Sequence, residues 1–232
     1  MQNIHVCLQV RCSSDRLPCK CLLPINKLES VKVLIKRVKS KKYSVNVLTS
    51  NNKSDDYLCD VLKSEKINIF RGDLNNVYKR YIQFSKKLKN EDLIIRITGD
   101  NLLIDKNLLI ELINFYKKNN YNYVSINREK SKLPYGISVE LFNLKTLKKW
   151  EAISLYDKEH VTSRIIKKEQ SQGYFIKQNN ENFYNLRCTL DDIKDYFIIK
   201  TVFEKAKSFK LDYLKMCKIL NNIKKKEILV QR

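Results

Sequence analysis

The sequence contains few of the residues that interrupt regular structure. Four glycines and three prolines occur among 232 residues, which excludes a low-complexity linker between domains. It also lacks a run of about 18 apolar residues, so no membrane-spanning helix is expected. The N-terminal segment has a short apolar stretch followed at once by charge, and it predicts no signal peptide. The length suits one α/β domain with a sizeable core.

Zinc-binding spacing is also missing from the cysteines. Seven cysteines are present, but Cys19 and Cys21 stand one residue apart and no second Cys or His pair follows at ligand distance. An odd, scattered set of cysteines is typical of reduced thiols, and we expect a cytoplasmic protein.

The chain has a formal net charge of +21, which has two interpretations. One is an anionic partner such as a nucleotide, a nucleic acid or a membrane surface. The other is compositional, because the chain is rich in Lys, Asn, Ile and Tyr and its only alanines are Ala152 and Ala206. The lysines are spread along predicted helices, as on a solvated face, and no nucleic-acid motif is present. Nucleic-acid binding is therefore the less favoured interpretation, and no membrane partner is expected.

Short apolar runs alternate with amphipathic helices in the first half of the chain. Strands are predicted at residues 4–10, 43–50, 67–70, 92–98 and 121–126, and helices at 27–39, 55–66, 74–89 and 106–119. This order predicts a mostly parallel sheet with helices on both faces. Such sheets bind ligands in the loops that follow the carboxyl ends of their strands.

The pattern changes after about residue 130. Residues 136–143 predict a strand, 144–154 a helix, and 157–170 a second helix with Asp157 as its N-cap. Residues 173–178 and 182–190 predict a hairpin or two separate strands, and 191–206 and 211–220 predict helices. We interpret the chain as one domain, with a nucleotide-binding half at about 1–126, an acceptor-binding and dimerisation half at about 127–210, and a polar tail at 222–232.

The loop after the first strand carries three cations. Arg11, Arg16 and Lys20 lie within residues 9–20, and charge-assisted hydrogen bonds from such groups suit a polyphosphate. The loop has no G-x-x-x-x-G-K pattern, so it is not a Walker loop. Taken alone, the spacing leaves open phosphate binding and a merely solvated basic loop.

Two aspartates follow apolar segments far apart in the sequence. Asp100 ends "RITGD" and Asp191 lies in "LRCTLDD", and two such carboxylates could share a Mg²⁺ ion. Each also has a structural interpretation: a Gly-Asp turn for Asp100 and a helix N-cap for Asp191. Glu159 and His160 fall in the predicted first turn of a helix, where His160 could be a metal ligand, a general base or a structural histidine.

Six motifs in the same order resemble the cytidylyltransferases related to spore-coat polysaccharide biosynthesis proteins, and their acylneuraminate and 3-deoxy-manno-octulosonate cousins. They are "QVRCSSDRLPCKCLLPI" (9–25), "FRGDLNNVYKRY" (70–81), "IIRITGDNLLID" (94–105), "YGISVELFN" (135–143), "DKEHVTSRI" (157–165) and "LRCTLDDIKDY" (186–196). The resemblance covers about residues 4–207, nearly the whole chain.

The resemblance implies a three-layer nucleotide-diphospho-sugar transferase-like, Rossmann-like α/β fold. It also implies CTP as donor, Mg²⁺ as cofactor, a small anionic or sugar acceptor, and a homodimer. By position, Arg16, Lys20 and Asp100 would be catalytic, and Asp100 and Asp191 would hold the metal. The nucleotide-binding residues would be Val10, Arg11, Ser13, Arg16, Lys20, Thr98 and Gly99, and the acceptor-binding residues Arg71, Arg80, Glu140, Glu159 and His160.

The implied reaction joins CMP to the acceptor and releases pyrophosphate, for surface polysaccharide or glycoconjugate synthesis. Several positions depart from the pattern of the resembled family. Cys19 replaces a glycine, which would cost about 1 kcal/mol or more if that glycine has a positive φ. Val10 replaces an alanine and Leu103 or its neighbour a proline, while Tyr135 and Ser138 replace aspartates on the acceptor side. The alternative is a catalytically degenerate nucleotide-binding homologue of the same fold.

Overall fold

The structure, a computed structural model, describes the backbone of residues 2–230 and the side chains of residues 2–225. Its strands are β1 (Ile4–Gln9), β2 (Pro24–Ile25), β3 (Leu28–Glu29), β4 (Ser44–Ser50), β5 (Asn68–Gly72), β6 (Leu93–Thr98), β7 (Tyr123–Ile126), β8 (Glu140–Asn143) and β9 (Gln172–Phe175). Its α-helices are α1 (Ser30–Val38), α2 (Asp56–Leu62), α3 (Val77–Phe84), α4 (Lys106–Asn119), α5 (Leu144–Lys149), α6 (Leu155–Glu159), α7 (Ser163–Lys168), α8 (Ile193–Ala206) and α9 (Tyr213–Val230).

Seven strands form one sheet in the order β5-β4-β1-β6-β8-β7-β9. The pairs β5/β4, β4/β1, β1/β6 and β7/β9 are parallel, and only β8 runs antiparallel to its neighbours β6 and β7. The central strands β1 and β6 are apolar because helices cover both of their faces. The predicted α/β fold with a mostly parallel sheet is confirmed.

Side chains alternate between the two faces of the sheet and fill two apolar cores. Val6 and Leu8 point to the larger core, which α1, α4, α8 and α9 cover. Cys7, one residue away, points to the smaller core beneath α3, α5 and α7. The result is three layers, and it leaves the carboxyl ends of β1 and β6 open at one edge of the sheet.

Three predicted helices in the first half need correction. The helix expected at 27–39 begins only at Ser30, because a tight hairpin of β2 and β3 precedes it. Asn26 and Lys27 form its turn with φ of 46° and 68°, the positive values that a two-residue hairpin requires. The helices expected at 55–66 and 74–89 are likewise shorter and end in 3₁₀ turns.

The second half departs further from expectation. The single helix predicted at 157–170 is two short helices, α6 and α7. Helix α6 ends at its C-cap residue His160, whose N–H donates to the Tyr156 carbonyl. Its N-cap is Ser154, and Asp157 is the third residue of a capping box. Glu159 and His160 therefore end a helix instead of beginning one.

Two predicted strands are also wrong in part. The strand expected at 136–143 is limited to β8, and residues 182–190 form no strand in the described part of the chain. Their only sheet-like contact is an isolated bridge between Tyr135 and Arg187. This segment runs across the ends of the strands, where its backbone bonds to loops instead of to a neighbouring strand.

The C-terminal segment is helical as far as the structure describes it. Residues 222–230, expected as a polar tail, continue α9, and residues 231 and 232 lie outside the described residues. Among the helices of residues 2–230, none has the length and apolar character needed to cross a bilayer.

Candidate active site

An open cleft of about 660 Å³ lies at the carboxyl ends of β1 and β6. The loop after β1 forms one wall, and the turn after β6 forms the floor. The segments around Gly136, His160 and Asp191 form the other walls. The cleft therefore lies where a doubly wound sheet binds its ligand.

The loop after β1 is anchored to the sheet through Asp55. The buried Asp55 carboxylate accepts hydrogen bonds from the Cys12 backbone N–H at 2.7 Å and from the Thr49 hydroxyl at 2.8 Å, and also bonds the Ser50 hydroxyl. Burial acts to raise the pKa of Asp55, but these donors outweigh it and hold the pKa below its ordinary value. The loop backbone is thus fixed by an ionised carboxylate from a segment 43 residues away.

Cys19 adopts the left-handed conformation in this loop, with φ 55° and ψ 24°. Its backbone N–H donates to the Cys12 carbonyl at 2.8 Å and closes the loop, while its side chain is exposed. The position is one where glycine is favoured, and the residue after it is Lys20. The loop forms without the glycine, at the cost of backbone strain at Cys19.

Lys20 lies between the two predicted aspartates. Its Nζ donates to Asp100 Oδ2 at 3.1 Å and to Asp191 Oδ1 at 2.9 Å. A backbone hydrogen bond holds the two aspartates close together: the N–H of Leu190, the residue before Asp191, donates to the Asp100 carbonyl at 2.9 Å. Three residues that are far apart in sequence therefore meet at one point of the cleft.

Two arginines complete the charge around Asp191. Arg16, largely exposed, places NH2 3.2 Å from Asp191 Oδ1, and Arg187 donates to Asp191 Oδ2 at 2.7 Å. Arg187 is itself held by Asp195, which its Nε contacts at 3.0 Å and which raises the pKa of Arg187. Burial acts to raise the pKa of Asp191, but Lys20 and the arginines hold it below its ordinary value. Asp191 is therefore ionised at neutral pH.

The donors present fit a divalent cation that is shared with a ligand. Asp100 Oδ1 is buried and accepts no hydrogen bond in the described part of the chain, so it is free to coordinate a metal. Among the side chains of residues 2–225, no group of three or more His, Cys, Asp or Glu residues could hold a metal alone. Mg²⁺ is ordinarily bound by one or two carboxylates together with phosphate oxygens and water, which matches this pair.

The remaining residues expected at the nucleotide lie around the same cluster. Val10, Arg11, Thr98 and Gly99 line the cleft, and the Arg11 guanidinium makes no ion pair within the described residues. A Cβ at Gly99 would come within 2.9 Å of the Val10 side chain, so glycine is needed there. Ser13 Oγ is buried and without a hydrogen-bond partner among residues 2–230.

Of the five residues expected on the acceptor side, only three line the cleft. Glu159 and His160 do, with the His160 ring tilted against Tyr156 at 4.2 Å. Arg80 also lines it, but its guanidinium is buried and bonds backbone carbonyls, including that of Asp73 at 2.7 Å. Arg80 is therefore tied into the fold.

Arg71 and Glu140 do not line the cleft. Arg71 lies outside the cleft, because its side chain binds the Ser50 and Asn52 carbonyls and Asp56. Glu140 is buried beneath the cleft, and its oxygens accept from Arg96 at 2.6 Å, from Thr162 at 2.6 Å and from the Tyr123 hydroxyl at 2.8 Å.

Arg96 is one of two arginines of the cleft to which the sequence assigned no role. Its Nε donates to Gln9 at 3.1 Å and its Nη1 to Glu140, whereas its Nη2 has no partner among residues 2–225. Burial disfavours both charges, yet the ion pair outweighs it, raising the pKa of Arg96 and lowering that of Glu140. A charged residue in the apolar strand "DLIIRIT", two positions before Thr98, was the available signal.

Arg128 is a second unassigned cation of the cleft. It stacks on Tyr184, with the guanidinium carbon 4.0 Å from the ring centroid, and donates to the Tyr184 carbonyl at 2.8 Å. Arg96 and Arg128 are thus held in place while each keeps donors for a ligand.

The chain is similar to several known proteins. A chain of Methanocaldococcus jannaschii described as an uncharacterized protein is 32% identical over 210 residues, covering 88% of this chain and 83% of the relative. The spore coat polysaccharide biosynthesis protein SpsF of Bacillus subtilis is 28% identical over 219 residues, covering 89% and 88%.

A solved structure of a cytidylyltransferase from Leptospira borgpetersenii superposes with a TM-score of 0.87 at 25% identity, covering 97% of this chain and 96% of that chain. The family model described as Cytidylyltransferase matches residues 6–230, which include every residue that lines the cleft. The chain therefore belongs to the cytidylyltransferase family.

Proposed function

We propose that the chain transfers CMP from CTP to a hydroxyl group of an acidic sugar or a similar small acceptor and releases pyrophosphate. The observation that carries this proposal is the meeting of Lys20, Asp100 and Asp191 at the end of β1 and β6. A triphosphate needs cations along its oxygens, and a metal bound to it needs carboxylates, and both lie within this cluster.

In the proposed reaction, the acceptor oxygen attacks the α-phosphorus of CTP. The bond from that phosphorus to the bridging oxygen breaks, and pyrophosphate leaves with the bonding electrons. Negative charge grows on the leaving group, so Arg16 and Lys20 bind it more strongly in the transition state than in the ground state. Arg11, which has no ion pair of its own in the described chain, is a further donor for the triphosphate.

Asp100 and Asp191 are the residues that would hold Mg²⁺. The ion would offset charge on the triphosphate and lower the pKa of the attacking hydroxyl. Arg187 and Asp195 keep the Asp191 carboxylate in position through the hydrogen bonds described above.

The acceptor half of the cleft supports an anionic acceptor. Arg96 and Arg128 present guanidinium donors to the cleft, which His160 and Glu159 also line. A carboxylate or phosphate on the acceptor would bind these groups in a forked geometry. The relative SpsF is named for spore coat polysaccharide biosynthesis, and we propose that the product serves surface polysaccharide or glycoconjugate synthesis in the cytoplasm.

The test is pyrophosphate release from CTP and Mg²⁺ with a panel of sugar acids and their neutral analogues. Asp100→Asn should remove turnover, because it takes charge from the carboxylate that Lys20 contacts. Asp60→Asn is the matched control, since Asp60 is an exposed carboxylate on α2 that pairs with Lys63. Saturable CTP binding without pyrophosphate release under any acceptor would contradict the proposal and favour a degenerate homologue.

A homodimer is part of the proposal. Large apolar side chains are exposed on the acceptor half, including Ile153, Leu155 and Tyr156. Exposed apolar patches of this kind mark protein interfaces. Sedimentation of the chain as a monomer at micromolar concentration would contradict it.

A further inference from the structure

The Lys20 ammonium group lies where a metal shared by Asp100 and Asp191 would bind. Its Nζ is 3.1 Å from one carboxylate and 2.9 Å from the other, and these are its only side-chain partners among residues 2–225. We propose that Lys20 holds the cation position between the two aspartates in the free protein. A divalent cation then binds there only together with the triphosphate, which draws the lysine away.

The local charges support this order of binding. Three carboxylates, those of Asp100, Asp191 and Asp195, face three cations, those of Arg16, Lys20 and Arg187. The cluster is therefore balanced without a metal, and a divalent cation arriving alone would leave an excess of positive charge in a partly buried site. A triphosphate that arrives with the metal brings the negative charge that removes this excess.

Lys20 is the member of the cluster that can leave. Arg187 is clamped by Asp195 through contacts at 3.0 to 3.2 Å, so it stays with Asp191. The Lys20 backbone is fixed, because its carbonyl accepts from the Ser30 hydroxyl at 2.8 Å. Its four-carbon side chain ends in a compact charge that can turn from carboxylates to phosphate oxygens about a fixed backbone.

Binding of Mn²⁺ to the free protein, followed by electron paramagnetic resonance, tests the inference without nucleotide or acceptor. Lys20→Met should bind Mn²⁺ about tenfold more tightly than the unchanged chain, because one positive charge leaves the cluster. Lys177→Met is the matched control: it also removes a lysine paired with a carboxylate, Glu111 at 2.8 Å, but away from the cleft. Lys20→Arg keeps the charge and should bind Mn²⁺ as weakly as the unchanged chain.

Two further measurements locate the effect and guard against misfolding. The double variant Lys20→Met with Asp100→Asn should lose the gained affinity, because one of the two carboxylates is neutral. Mn²⁺ should also raise the melting temperature of Lys20→Met more than that of Lys177→Met, since a ligand stabilises only the folded protein that binds it. If Lys20→Met does not fold, Lys20→Gln, which removes the same charge with a shorter polar side chain, takes its place.

Only the role of the triphosphate in this inference rests on the proposed function. Equal Mn²⁺ affinity of the unchanged chain and Lys20→Met would overturn it, as would a gain that persists in the double variant. Mn²⁺ binding by the unchanged chain should strengthen when a non-hydrolysable CTP analogue is added, and no change would also contradict the inference. Absence of pyrophosphate release would instead contradict the proposed function, so the two failures are distinguishable.

Discussion

Replacing Cys19 by glycine should stabilise the protein. Cys19 has φ 55° and ψ 24°, a conformation in which a side chain costs about 1–2 kcal/mol relative to glycine. The greater freedom of glycine in the unfolded chain offsets part of this gain, so the net stabilisation should be about 1 kcal/mol. Little packing is lost, because the Cys19 side chain is exposed.

The assay is thermal unfolding at equal protein concentration. A gain of about 1 kcal/mol corresponds to a melting-temperature rise of about 2–4 °C for a chain of this size. Cys19→Ala is the matched control, because it removes the thiol but keeps a Cβ in the left-handed conformation, and it should not rise. Equal melting temperatures for the glycine and alanine variants would refute the argument from backbone strain, since only glycine relieves it.

Three other changes test the site and the fold. Arg96→Lys should raise the KM for an acidic acceptor about tenfold and leave the KM for CTP unchanged. The reason is that lysine cannot reproduce a guanidinium held by both Gln9 and Glu140. Equal effects on both KM values would contradict an acceptor role. Asp195→Asn should lower kcat about tenfold by loosening Arg187, and the kcat of Asp192→Asn, which alters the neighbouring N-cap instead, should stay closer to that of the unchanged chain. Glu169 is buried, which raises its pKa, but hydrogen bonds from Trp150, Asn122 and Ser171 bring it from its ordinary 4.5 to about 2. The pKa of Glu169 is lower in the folded than in the unfolded chain, so its stabilising contribution is present at neutral pH and is lost as pH falls from about 4.5 to about 2. The stability of Glu169→Gln should therefore fall less over this pH range than that of the unchanged chain. Unfolding can be followed by the fluorescence of Trp150, the only tryptophan.

The sequence predicted the sheet well where apolar runs are covered on both faces. Residues 4–10, 43–50 and 92–98 contain β1, β4 and β6, because a strand buried on both sides is apolar at every position. The same logic predicted where the site would be, since the carboxyl ends of parallel strands share one edge. Asp100 lies just after β6 and Lys20 lies at the end of the loop after β1, and the structure brings their side chains to 3.1 Å.

The sequence did not predict side-chain contacts that depend on strand register. Strand β8 inserts antiparallel between β6 and β7, and this places Glu140 opposite Arg96 across 44 residues. No local pattern in either segment signals that pairing, so Glu140 was assigned to the acceptor and Arg96 to nothing. The sequence also did not predict that Asp55 anchors the loop after β1. Its partners are Thr49 on β4 and Cys12, which lies 43 residues earlier in that loop.

The wrong strand prediction at 182–190 and the meeting of Asp191 with Lys20 have one physical cause. An apolar, extended segment gives the same sequence pattern whether its N–H groups bond to a strand or to loops, because the pattern reports burial and not pairing. Here the Cys188 N–H donates to the Tyr135 carbonyl at 2.7 Å and the Leu190 N–H to the Asp100 carbonyl at 2.9 Å. Had the segment joined the sheet, its hydrogen bonds would run to a neighbouring strand instead of to the backbone of Asp100. Because the segment crosses the strand ends, the side chain of Asp191 extends into the cleft and contacts the Lys20 ammonium group.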